Sequence, residues 1–88
     1  MGSFSETKRA DAARVDLPAL IGSPVPVGLI LLDDDDQEQR VILGQVIRVG
    51  PDFVVFRRDG LDEEIPLGLI SKRVSGETVV PYGDARRR

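Results

Sequence analysis

Short apolar runs separated by turn residues recur from Val25 to Ser71, and their period predicts strands rather than helices. The first run, Val25 to Leu32, is apolar on both faces, as expected of a strand held between an interior and a covering element. Pro26 cannot donate to a ladder and marks its start or an unpaired edge. The second run, Arg40 to Val49, groups Val41, Leu43, Ile47 and Val49 on one face, with Gln45 the polar exception. Gly50-Pro51-Asp52 makes a turn into a third strand, Phe53 to Arg58. Asp59-Gly60 is a hairpin signal, leading to a fourth strand from Leu61 to Ile65 that Pro66 stops. A tight turn over Leu67 to Ile70 precedes a short fifth strand, Ser71 to Val74, and Glu77 to Val80 fits one further edge segment. Ahead of all this, Ser5 is placed to cap a helix running to about Arg14 or Val15. Its apolar face is thin, and it needs a surface to pack on.

These elements predict a mainly β fold: a small five-stranded antiparallel barrel with an N-terminal α-helix. Residues 1–22 are the helix and its connection, 23–80 the barrel, and 81–88 a basic tail expected to be disordered. Gly44, inside a β-branched run, suits close backbone approach at a barrel corner.

Composition narrows the chemistry. The 88 residues include no Cys and no His, which removes disulfides, thiolate chemistry, the usual zinc ligands and imidazole base catalysis. No nucleophile–base pair is visible, so no enzyme activity and no cofactor are expected. There is no apolar run long enough for a membrane span and no signal-peptide core, and a cytoplasmic location is the expectation. The net charge of −3 is uneven. Residues 1–39 carry three cationic against eight acidic side chains, and residues 40–88 carry nine against seven. The acidity concentrates in Asp33 to Asp36 and Glu38. That run lacks the alternating spacing and glycine of a calcium loop and reads as a solvated connection, so no metal site is expected.

An N-terminal helix followed by five such strands resembles the Sm-like fold, itself an SH3-like barrel, and within it the Hfq family of bacterial RNA chaperones. Val25-Pro26-Val27, Gly44-Gln45-Val46, Asp52-Phe53-Val54-Val55 and Ile70-Ser71 carry the resemblance. It implies a cyclic homo-oligomer, pentamer to heptamer, that binds single-stranded RNA. The departures are specific. The family's Lys-His pair before the last strand corresponds to Leu67-Gly68, and a Tyr ahead of it to Pro66. A first-strand Tyr of the adenine site corresponds to about Ile30. Of the family's base-contacting positions, Asp52 and Phe53 remain.

The candidate RNA contacts are therefore Asp52 and Phe53 at the turn, with Arg57, Arg58, Lys72 and Arg73 for phosphates. Arg9 and Arg14 could form a basic rim or pair with Glu6, Asp11 or Asp16. Open edges on the fourth and fifth strands, with Ile65, Leu67, Leu69, Ile70 and Val74 nearby, would serve ring assembly. Two functions compete: an Sm-like ring that binds RNA as a chaperone or post-transcriptional regulator, and an oligomeric protein-interaction scaffold on the same barrel. A third resemblance, to the middle domain of small mechanosensitive channels, rests on the Ile65-Pro66 step and lacks a membrane segment beside it.

Overall fold

The computed structural model describes residues 12–35 and 37–82. The described residues include six strands: β1 (Val27–Leu32), β2 (Glu38–Val49), β3 (Phe53–Arg58), β4 (Leu61–Pro66), β5 (Ile70–Ser75) and β6 (Thr78–Pro81). They form one sheet in the order β4-β3-β2-β1-β5-β6, every neighbouring pair antiparallel. The mainly β class therefore holds. The five-stranded barrel is revised in two respects. A sixth strand lies along β5, and the sheet is open, with β4 and β6 as margins that no ladder joins among the described residues.

Local chemistry sets each turn. Asp59 and Gly60 have φ of 57° and 80° and connect the paired residues Arg58 and Leu61. Two successive positive-φ residues match the right-handed twist of a hairpin, and Asp-Gly tolerates them best. The turn between β2 and β3 closes through a 2.8 Å bond from the Gly50 amide to the Phe53 carbonyl. Pro66 ends β4, and a 3-10 turn over Leu67–Leu69 carries the chain to β5. The Leu67 amide donates to the Asp52 carbonyl at 3.0 Å, tying that turn to the β2–β3 loop.

The inner face is set by register. Val27 and Leu29 of β1 are fully buried and lie opposite Gly44 and Ile42 of β2. Ile42 and Val46 are buried, whereas Val41 and Leu43 face outward. The expected single face of Val41, Leu43, Ile47 and Val49 is thus broken, and Val49 packs against the core. The reason is a register shift between Val46 and Arg48, an inserted residue that reverses the parity of the strand beyond it. Phe56, Val54, Ile65, Leu67 and Ile70 complete the core. Gly44 is required where it stands, since a Cβ there would come within 2.1 Å of the Arg57 carbonyl oxygen.

Residues 12–16 are helical and run into a 3-10 turn, Leu17–Leu20. Ala13 and Leu17 are fully buried, and the turn packs on β2. The expected helix start at Ser5, the Arg9 rim position and tail residues 83–88 lie outside the described residues. Pro81 and Tyr82, which the sequence assigns to the tail, belong instead to the fold: Pro81 ends β6, and Tyr82 is buried with its amide bonded to the Ser71 carbonyl at 2.6 Å. None of the described helices is long and apolar enough to cross a membrane.

Candidate interaction surface

The structure brings carboxylates to each cationic residue singled out for phosphate contact. Arg57 grips Asp62 with two bonds, 2.7 Å and 3.2 Å, directly across the β3–β4 ladder. The contact raises the Arg57 pKa and lowers that of Asp62, chiefly through the hydrogen bond. Arg58 reaches Glu63 diagonally at 3.0 Å. Lys72 holds Glu38 at 3.0 Å, and the Ser71 hydroxyl donates to the same carboxylate at 2.8 Å.

Arg73 departs furthest from its expected role. It is 8% exposed, and its guanidinium makes two bonds to Asp16, 2.6 Å and 3.0 Å. The Tyr82 hydroxyl also donates to Asp16. The bond from Arg73 holds the Asp16 carboxyl below its ordinary pKa, against some opposition from burial. Burial, followed by the bond to Asp16, pushes the Tyr82 hydroxyl well above its ordinary value. This network fastens the helical segment to β5 and to the end of β6, and removes Arg73 from any phosphate-binding surface.

The turn pair is also engaged. Asp52 is exposed, while Phe53 is half-buried. The Phe53 ring occupies the space a side chain at Gly50 would need, and the Arg48 guanidinium lies 5.3 Å from its centroid. A base stacking on that face would have to displace Arg48. Arg14, the other rim candidate, donates to the Pro51 carbonyl of this loop. The six candidate residues therefore do not converge on one cationic groove.

A different surface emerges from the register. On the outward side of the sheet, Leu43, Gly28, Val74 and Val79 form one row across β2, β1, β5 and β6. Val41, Ile30, Lys72 and Pro81 form the next. Val41, Leu43 and Val79 are 60%, 64% and 52% exposed. Two adjoining rows with a single charged side chain are unusual on the outside of a small sheet, where polar residues normally alternate with the core positions. The sequence signal for it was β1, apolar on both faces at the centre of the sheet.

No family model, curated protein or solved structure matches the chain. The surface is therefore read from its own geometry. Beside Leu43 an open cleft of about 410 Å3 is lined by Pro26, Leu43, Gly44, Gln45, Arg57 and Asp59. At the opposite end, Asp33 organises the acidic connection: its carboxylate accepts from the Asp35 and Gln37 amides at 2.9 Å and 3.0 Å. Among the described residues no three acidic side chains gather where they could hold one metal ion.

Proposed function

We propose that this chain is a non-catalytic protein-interaction domain that works through the outward face of β2, β1, β5 and β6. The observation that carries this reading is the pair of largely apolar rows from Leu43 to Val79 and from Val41 to Pro81, whose outer members Val41, Leu43, Val79 and Pro81 stand exposed while Ile30 and Val74 between them are half-buried. The charge pattern supports it. Arg57, Arg58, Lys72 and Arg73 each neutralise a carboxylate, so phosphate binding would first have to break those pairs. The Sm-like resemblance enters as a finer reading of the fold: the close approach at Gly44 and the register shift beyond it are the kind of feature by which a strand bends, which supports that reading. Ring closure through the edge of β5 would have to displace β6, which already pairs there.

The deciding measurement is a fluorescence-anisotropy titration with oligo-U and oligo-A RNA near 150 mM salt, where exposed charges are screened within about 8 Å. The protein-interaction reading expects no binding up to tens of micromolar protein. Sub-micromolar binding that falls when Arg57 and Arg58 are replaced by Ala would overturn it in favour of an RNA-binding domain.

A further inference from the structure

We infer that the open edge of β4 takes up an extended segment of a partner protein, paired antiparallel to residues 62–66 and carrying Lys or Arg at the two alternating positions opposite Asp62 and Glu64. This edge is separate from the outward rows of β2, β1, β5 and β6, and the inference goes beyond the reading of those rows.

The ladder fixes which backbone groups are free. β4 has β3 on one side and no strand on the other among the described residues. In an antiparallel pair, bonded and non-bonded residue pairs alternate. The two-residue turn at Asp59-Gly60 makes Arg58 and Leu61 a bonded pair. The Leu67 amide donates to the Asp52 carbonyl at 3.0 Å, which sets the same alternation from the other end of the strand. Leu61, Glu63 and Ile65 therefore spend their backbone groups on β3. Those of Asp62 and Glu64 point away from it, as does the Pro66 carbonyl. Pro66 stands where an amide would face water, so its missing N–H costs the ladder nothing. Two donors and three acceptors are thus left in line along the edge, the pattern that receives an added strand.

Charge selects the occupant. Residues 57–66 carry Arg57 and Arg58 against Asp59, Asp62, Glu63 and Glu64, two cations for four carboxylates. Arg57 pairs with Asp62 and Arg58 with Glu63, while Glu64 is exposed and makes no ion pair among the described residues. A strand laid along the edge sets its side chains about 5 Å from those of Asp62 and Glu64. Lys or Arg there supplies the missing counter-charge, and Asp or Glu is repelled. The same rule disfavours this chain's own margins as occupants. A second β4, paired in antiparallel register about Glu63, would set Asp62 against Glu64 twice. On β6, Thr78, Val80 and Tyr82 are turned to β5 and Pro81 has no amide, which leaves Val79 with the single outward donor. Leu61, 74% exposed, stands on the opposite face of β4 from Asp62 and Glu64 and gives an apolar residue of the incoming strand a side chain to cover.

The probe is an acetylated and amidated Val-Lys-Thr-Lys-Val peptide. It is titrated into the isotope-labelled full chain and followed by amide NMR shifts near 150 mM salt, where charges more than about 8 Å apart are screened. Saturable shifts are expected at the amides of Asp62 and Glu64, with slowed hydrogen exchange at both. A Val-Glu-Thr-Glu-Val peptide should bind at least about tenfold more weakly, since it turns two cross-strand attractions into repulsions. Glu64→Lys should weaken the lysine peptide about tenfold. Glu77→Lys, which changes the net charge equally at the β5–β6 turn, should leave the Kd within about twofold. Glu64→Pro removes an outward donor and no bond to β3, so it should abolish saturation in a chain that keeps the wild-type circular dichroism. N-methylation of the first lysine of the peptide deletes the donor facing Glu64 without touching the protein, and should do the same. No saturable shift, or shifts gathered elsewhere on the molecule, would overturn the site. Equal binding of the two peptides would overturn the cationic occupant. So would concentration-dependent shifts of Asp62 and Glu64 in the chain alone, which would make the occupant a second copy. Binding that survives both Glu64→Pro and the methylated peptide would overturn strand addition.

Discussion

Replacing Asp16 by Ala tests the contact that binds the start of the described fold to its end. Asp16 lies one residue before Leu17, Arg73 is on β5, and Tyr82 follows β6. The Arg73 and Asp16 side chains are 10% and 21% exposed. Removing one member of a buried ion pair costs about 3–5 kcal/mol, because the other charge stays behind without its partner. Asp16 keeps some contact with water, which lowers that figure, and the Tyr82 hydroxyl loses its acceptor, which restores about 1 kcal/mol. A loss of about 2–4 kcal/mol follows. A chain of 88 residues has a total stability of about 4–13 kcal/mol, so this is a large share. With a urea dependence near 1–2 kcal/mol per M, the unfolding midpoint should drop by about 1–4 M. The assay has a built-in local probe: Tyr82 is the sole Tyr of the chain, and there is no Trp, so intrinsic fluorescence reports on the network itself. Circular dichroism follows the sheet in parallel. Arg73→Leu added to Asp16→Ala should cost less than the sum of the two single changes, since it removes the stranded guanidinium and leaves an apolar group in its place. Asp62→Ala, which breaks the exposed pair with Arg57, is the control and should leave the midpoint within error of wild type. An Asp16→Ala midpoint indistinguishable from that of Asp62→Ala would refute the reasoning.

Acid should weaken the fold through the same group. The folded Asp16 pKa lies below its ordinary 3.8, so its stabilisation is complete above that value and is lost as pH falls through the folded pKa; urea midpoints taken from pH 6 to 2 should decline less steeply in Asp16→Ala than in wild type. Alkali acts through Tyr82, whose folded pKa is raised above 10.0. The unfolded chain ionises first, so stability should begin to fall above about pH 10, and Tyr82→Phe should flatten that limb of the profile. Gly44→Ala should destabilise by about 3 kcal/mol or more, because the new methyl meets backbone rather than a movable side chain; a melting temperature close to wild type would contradict the close approach of β2 to β3. Phe53→Ala should lower stability by about 1–3 kcal/mol, as expected of a half-buried ring seated over Gly50, and a variant as stable as wild type would reopen Phe53 as a surface stacking residue.

How far the candidate site could be read in advance differs residue by residue. The Arg57–Asp62 pair was accessible: a two-residue Asp59-Gly60 turn fixes the register and puts 57 opposite 62. The Arg73–Asp16 bond joins residues 57 positions apart, and no local pattern relates them. The Lys72–Glu38 contact is of the same kind, joining the two strands that flank β1. An arginine in a basic dipeptide looks like a surface cation until the fold supplies its carboxylate. Phe53 was ambiguous for a related reason: whether its ring faces a nucleobase or a glycine depends on how sharply the β2–β3 turn folds back.

The sequence by itself determined the mainly β class, the position of every strand to within about two residues and the hairpin at Asp59-Gly60. These follow from β-branched periodicity and from turn residues that few other conformations accept, and both are local properties of the chain. Tertiary structure alone decided which side of β2 is buried. A single inserted residue near Ile47 reverses the parity of the strand, and its cost or gain is settled by the partner strand rather than by β2. Tertiary structure also decided that β6 closes the edge of β5, that Tyr82 belongs to the core and that four candidate cations have acidic partners. Those outcomes are energies of contact between distant segments, and they exist only once the sheet has brought the segments together.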